Sequence, residues 1–296
     1  MGKLAFLGVD RLSPHEEIVE ELVASIGREL LSAGKLYHPI VVEASHGVIL
    51  DGSHRFEALR RVGARAVLVY SVDYFSEEVE LRAWYRALDG SPSVEEVLEV
   101  LKASLNAVLE PVPVEEGLKA LERREGSVLV MAHGHDSAYL LCSDSHRRTF
   151  PAREVTMADE VLRRFGIRYD TESNVLSGIR SGRHRIGYAV PTLRKEEVIE
   201  LARRGVRLPP KSTRHVVQDR PLYALVPLEL MTSDDDSVRE RFLSHLLSAE
   251  VVSFGPGVLL DRFYEERVRV LVHRGCEELP YPPEVAELFR SRGPKA

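Results

Sequence analysis

The stretch ILDGSHRFEALRRVGA, residues 49–64, decides how the first part of the chain is read. An apolar run ends in Asp51-Gly52. Ser53, His54 and Arg55 follow just where Phe56, Ala58, Leu59 and Val62 take up helical spacing before a Gly63 stop. The preceding PIVVEASHGVIL, residues 39–50, reads as a hairpin, two β-branched runs around a Ser45-His46-Gly47 turn. Asp51-Gly52 is therefore a strand-to-helix turn. At a helix start the backbone N–H groups lack intrahelical partners and the dipole is positive, so the place favours an anion, with phosphate the leading candidate. The same letters fit a plainer reading, in which Asp51 or Ser53 caps the helix and Arg55 is a solvated surface residue.

Upstream, VDRLSPHEEIVEELVASI predicts a helix from Pro14 to about Ala33, with Pro14 in its first turn and His15, Glu16 and Glu17 beside it. Acids are favoured there by the dipole whatever else they do. Downstream, VLVYSVDYF predicts a strand, followed by a short helical stretch ending near Gly90. Residues 1–90 thus form one α/β unit. SPSVEEVLEVLKASL opens an amphipathic helix, and residues 91–229 alternate helices with strands such as SVLVMA and SAYLLC, a second α/β domain. Inside it, LPPKSTRHVV places Lys211, Ser212, Thr213, Arg214 and His215 directly after Pro209-Pro210. A stiff loop offering a point charge, two hydroxyls, a guanidinium fork and an imidazole suits a carboxylate or a phosphate. Trp84, the only tryptophan, lies in LRAWYRAL and reads either as core filler or as part of a site. Residues 230–296 form a C-terminal extension without a chemical motif, entered through Asp234-Asp235-Asp236, a linker or an acidic helix start.

With 296 residues, 44% hydrophobic and 29% charged, the chain is long enough for two domains and a sizeable core. No signal-peptide pattern or long apolar run is present, so the expected location is the cytoplasm, without a membrane partner. Cys142 and Cys276 stand apart with no neighbour at metal spacing and read as two reduced thiols. Asn106, Asn174 and Gln218 are the only side-chain amides, a thermophilic composition beside so many Arg and Glu. A formal net charge of -6 opposes extended nucleic-acid binding but leaves room for one basic pocket.

Four blocks in order carry a resemblance: Pro14-His15-Glu16, the turn Asp51-Gly52-Ser53-His54-Arg55, Asp73 to Ser76 followed by Trp84-Tyr85, and Lys211 with Thr213 to Val216. Over roughly residues 8–225 the sequence resembles the ParB/sulfiredoxin superfamily, and within it the free L-serine kinases of hyperthermophilic archaea. That resemblance implies a ParB/sulfiredoxin-like nucleotide-binding domain. It also implies phosphorylation of free L-serine to O-phospho-L-serine with ATP or ADP as donor, Mg²⁺ as cofactor, and a product that feeds cysteine biosynthesis. It implies further that Glu16 is the base and that Asp51, Gly52, Ser53, His54 and Arg55 hold nucleotide phosphates. Trp84, Lys211, Thr213, Arg214 and His215 surround the amino acid and the moving phosphoryl group. Asp51 is in addition a candidate Mg²⁺ contact, direct or through water, and a second catalytic carboxylate. The chain departs from the pattern at Ser53, where those kinases typically carry a second histidine, and from about residue 230, beyond which the shortest members have no counterpart.

Rival functions are weaker on the residues. A ParB-like DNA partition module needs a helix-turn-helix and a basic recognition face, whereas this chain is acidic, so no DNA partner is expected. A sulfiredoxin-like reductase needs a cysteine where Ser53 stands. A kinase for another small hydroxyl compound, such as L-threonine, is the nearer alternative, since one methyl is worth only ~1–3 kcal/mol of discrimination.

Overall fold

The hairpin expected before the turn is present. Ile40–Glu43 pairs antiparallel with Val48–Asp51, and the Glu43 carboxylate closes the connection by accepting from the Ser45 and His46 N–H groups at 2.6 Å each. In this computed structural model, which describes residues 2–142 and 150–272, the hairpin belongs to a five-stranded sheet. The strand order is Lys3–Gly8, Ala66–Val72, Ile40–Glu43, Val48–Asp51, Ser13–Pro14. Helices Glu20–Ala33 and Ser53–Arg61 cover it, burying Val23, Leu30, Phe56, Ala58 and Leu59 against Ile40, Val42, Ile49 and Val67 to Val69.

The chain is α/β and falls into two compact units, residues 1–80 with 199–207 and 215–296, and residues 81–198 with 208–214. The described residues from 215 on, and with them the described part of the expected 230–296 extension, group with the first unit. Ala224, Val226, Met231, Leu246 and Leu271 are buried in the core just described, and Phe242 and Leu243 pack on it. Asp235 caps the helix Asp236–Leu247, accepting from Ser237 N–H at 2.8 Å, so the acidic run is a helix start. A three-stranded sheet, Arg220–Leu222 parallel to Val268–Val272 and then Glu250–Phe254 antiparallel, completes this unit. Cys276 and everything past residue 272 lie outside the described residues.

Two local expectations fail for reasons of tertiary pairing. Pro14 does not open a helix: Ser13–Pro14 is an edge strand parallel to Val48 and Ile49, and the helix starts at Glu20. Proline tolerates an edge, where its missing N–H costs the ladder nothing. The residues before Gly90 are not helical either. Val79–Arg82 and Tyr85–Leu88 are strands, and Tyr85–Leu88 is paired on both sides, with Ile167–Asp170 and Ile186–Ala189, so ladder bonds override helix propensity.

The second unit is a six-stranded antiparallel sheet ordered Ile167–Asp170, Tyr85–Leu88, Ile186–Ala189, Gly126–Ala132, Ser137–Cys142, Leu109–Pro113. Its central strand alternates. Val128, Val130 and Ala132 face the helices Val94–Leu105 and Ala152–Leu162, while Leu129 and Met131 face Val114–Glu122 and Glu172–Arg180. Ser93 caps the first of these helices in a capping box with Glu96. No described helix is long and apolar enough to cross a membrane.

Arg86, 1% exposed, is held by Asp159 at 2.9 and 3.1 Å, and the same carboxylate accepts from Tyr188 at 2.6 Å and Tyr169 at 3.2 Å. Burial opposes the charge on Arg86, but Asp159, Tyr188 and Tyr169 together outweigh it and raise the guanidinium's pKa. Removing one partner strands the other, so Asp159→Ala is expected to cost ~3–5 kcal/mol in denaturant unfolding, and pairing it with Arg86→Met to recover much of that. Equal loss in the single and double variants contradicts the pairing.

Candidate functional site

The strand-to-helix turn depends on Gly52, whose φ of 103° lies in the left-handed region. A Cβ there would also sit 3.0 Å from Arg55 Nη2. The N-cap residue is Gly52 itself, not Asp51 or Ser53, so the N-cap contributes no side-chain oxygen. Arg55 is not solvated surface. Its Nη1 donates to the carbonyls of His38 at 3.1 Å and Pro39 at 3.4 Å, and its Nη2 to Asp51 Oδ2 at 3.3 Å, bracing the turn against the start of the hairpin. His54 reaches back to the first long helix, its Nε2 accepting from Val19 N–H at 3.0 Å, which makes Nε2 the bare ring nitrogen.

Asp51 Oδ2 gathers two further guanidiniums that the motifs do not foretell. Arg220, 4% exposed, bonds it directly and reaches Glu266 at 3.5 Å, and Arg262 lies at 3.6 Å. Burial alone would raise the Asp51 carboxyl; Arg220, Arg55 and Arg262 together hold it well below the usual carboxylate range. Three guanidiniums converge on Asp51 Oδ2 at a helix start whose N-cap residue, Gly52, has no side chain. Clustered guanidiniums at a helix N-terminus favour an anionic ligand.

Behind the same strand, His15 is 1% exposed and its Nδ1 donates to the Ile49 carbonyl at 2.7 Å. Burial lowers its pKa against the opposing pull of Glu16, and the neutral ring then turns a bare Nε2 toward Glu16 Oε1, 4.0 Å away. Its ring packs edge-on against His215, centroids 5.5 Å apart, and His215 Nε2 shares a 2.8 Å hydrogen bond with the Tyr74 hydroxyl. Burial, then the neighbouring His15, push His215 well below an ordinary imidazole. Glu16 and His215 thus join the turn within the first unit, while His15, Tyr74, Arg220 and Arg262 complete it. His15, in Pro-His-Glu, and Tyr74, in the Asp73 to Ser76 block, had a sequence signal; Arg220 and Arg262 had none.

The second unit holds the remaining candidates together. Trp84 Nε1 donates to the Thr213 carbonyl at 2.9 Å, Lys211 Nζ lies 4.6 Å from the indole centroid, and Arg214 Cζ lies 5.7 Å from it. Lys211 takes φ 68°. Ser212, Thr213 and Arg214 are buried, so this is a packed loop rather than a surface one. Glu172 approaches Arg214 at 3.8 Å and accepts from Ala83 N–H at 3.4 Å. Trp84 therefore acts as the platform on which both cations lie.

Because the depressed Asp51 pKa reflects stabilisation of the ionised form, its contribution is complete above about pH 5 and is lost as pH falls through the acid range. Melting temperature measured from pH 7 to pH 3 is expected to fall more steeply in the wild type than in Asp51→Asn, which starts lower. Parallel curves would sink this account of Asp51.

No family model matches the chain. It is 26% identical over 227 residues to an ATP-dependent L-serine kinase of Staphylothermus marinus, covering 75% of this chain and 89% of that protein. It is 28% identical over 236 residues to an ADP-dependent L-serine kinase of Thermococcus kodakarensis, covering 76% and 91%. A solved free serine kinase in complex with AMP is similar in structure with a TM-score of 0.62 at 25% identity, over 77% of this chain and 93% of its own.

Proposed function

We propose that this chain is a small-molecule kinase that phosphorylates free L-serine with ATP or ADP. The observation that carries the reading is the helix start at Gly52 beside Arg55, Arg220 and Arg262, a setting for nucleotide phosphates. The similarity to L-serine kinases supports serine as the acceptor. On this reading the serine hydroxyl oxygen forms a bond to the terminal phosphorus as the bond from phosphorus to the nucleotide breaks. The nucleotide leaves as ADP or AMP and Glu16 takes the hydroxyl proton. Lys211 and Arg214 on Trp84 suit the amino acid's carboxylate, and Glu172 supplies the opposite charge that an ammonium needs.

Mg²⁺ enters this reading with the nucleotide. Among the described residues no three His, Cys, Asp or Glu side chains gather to hold a metal, and Asp51 is committed to guanidiniums. That donor set does not fit an ion held by the protein, and no step is assigned to one. Mg²⁺ commonly keeps its waters and binds substrate phosphates instead. Catalysis by the chain itself is then alignment and cationic stabilisation of the moving phosphoryl, with one proton acceptor.

Purified protein given Mg²⁺, L-serine and either ATP or ADP is expected to form O-phosphoserine, with L-threonine the poorer acceptor. Glu16→Gln is expected to lower kcat ~10²–10⁴-fold while nucleotide Kd stays near wild type. A folded protein that phosphorylates neither amino acid ends the kinase reading, and a Glu16→Gln enzyme of normal kcat moves the base elsewhere.

A further inference from the structure

We infer that Arg262, carried by a hairpin in the C-terminal part of the chain, is a ligand of the donor's phosphates. The hairpin is Val258–Leu259 and Phe263–Tyr264, and it is fixed by hydrogen bonds from Gly257 N–H to the Tyr264 carbonyl at 2.8 Å and from Leu260 N–H to the Arg262 carbonyl at 3.0 Å. Its tip is tied to the Asp51 turn's surroundings. Asp261 accepts from the Tyr264 hydroxyl at 3.0 Å and faces His38 Nε2 at 3.4 Å, and His38 Nδ1 in turn accepts from Tyr223 N–H at 3.1 Å. Arg262 is thereby held over the Tyr264 ring, 4.8 Å from its centroid, and 3.6 Å from Asp51 Oδ2.

The three guanidiniums at Asp51 differ in what else they do. Arg55 is spent on the His38 and Pro39 carbonyls, and Arg220 is buried and shared with Glu266. Arg262 keeps half of its side chain exposed, so its charge is the one a ligand from solvent can reach. Three guanidiniums share the one oxygen Asp51 Oδ2, so mutual repulsion among them is eased when a polyphosphate brings further anionic oxygens within reach of Arg262. All of these residues belong to the first unit. Neighbouring Arg267 serves as an internal control, because its guanidinium pairs with Asp219 at 3.1 Å instead.

The inference rests on the nucleotide half of the kinase reading, and binding measured without serine tests it separately. ATP and ADP affinities are read by calorimetry on the full-length wild type, Arg262→Ala, Arg262→Lys and Arg267→Ala, with melting temperatures taken with and without nucleotide. Arg262→Ala is expected to weaken both nucleotides about three- to thirtyfold, the range of one lost charge-assisted contact, and to shrink the nucleotide-induced rise in melting temperature. Arg262→Lys recovers part of the loss, and Arg267→Ala binds as wild type does. Wild-type affinity in Arg262→Ala overturns the inference, as does an equal loss in Arg267→Ala or a lowered melting temperature without nucleotide that accounts for the whole effect. A wild type that binds nucleotide but makes no phosphoserine defeats the kinase reading and leaves this one standing.

Discussion

One carboxylate oxygen, Asp51 Oδ2, organises the first unit's chemistry. It collects Arg55 from the helix that follows it, Arg220 from a strand near the end of the described chain, and Arg262 from a hairpin later still. Without that counter-charge three guanidiniums could not share so small a volume, since each like-charged pair repels in a partly desolvated setting. The arrangement also explains why Gly52 is required twice, for its left-handed φ and for the lack of a Cβ where Arg55 folds back. Asp51 is thus better understood as the keeper of a cationic nest than as a metal ligand.

The turn and its neighbours were legible because they are local. A β-branched hairpin, a glycine at the strand end and helical spacing from Phe56 are contained within a few residues, and the structure keeps all three. The helix opened by SPSVEEVLEVLKASL was legible on the same grounds, and of the two readings of Asp234 to Asp236 the structure keeps the helix start. Arg220 and Arg262 were not, because no spacing rule links them to Asp51; Arg262, for one, is brought there by a hairpin whose Asp261 faces His38. Pro14 and LRAWYRAL misled for a related reason. Their propensities speak of helix, and only the strands that they meet turn them into sheet.

Histidine chemistry in the first unit is governed by burial more than by charge. His15 and His215 stand edge to face, burial pushing both below an ordinary imidazole, with hydrogen bonds to a backbone carbonyl and to Tyr74 that fix their rings. His54 is likewise an acceptor, for Val19 N–H, and so joins the starts of two helices. These imidazoles supply geometry and hydrogen-bonding capacity at neutral pH, while net positive charge comes from arginine, whose ionisation survives burial.

The first unit is discontinuous in sequence, and this has a consequence for synthesis on the ribosome. The sheet formed by residues 3–72 is exposed on leaving the tunnel until Ala224, Val226, Met231, Leu246 and Leu271 arrive to finish its core. Residues 81–198, by contrast, hold a complete six-stranded sheet whose strands are all made earlier. Translation at ~5–20 residues per second therefore sets an order in which the inserted unit can mature while the N-terminal one waits for its own late segments. Early termination would leave the sheet of residues 3–72 without Ala224, Val226, Met231, Leu246 and Leu271, and so release an open apolar sheet rather than a smaller enzyme.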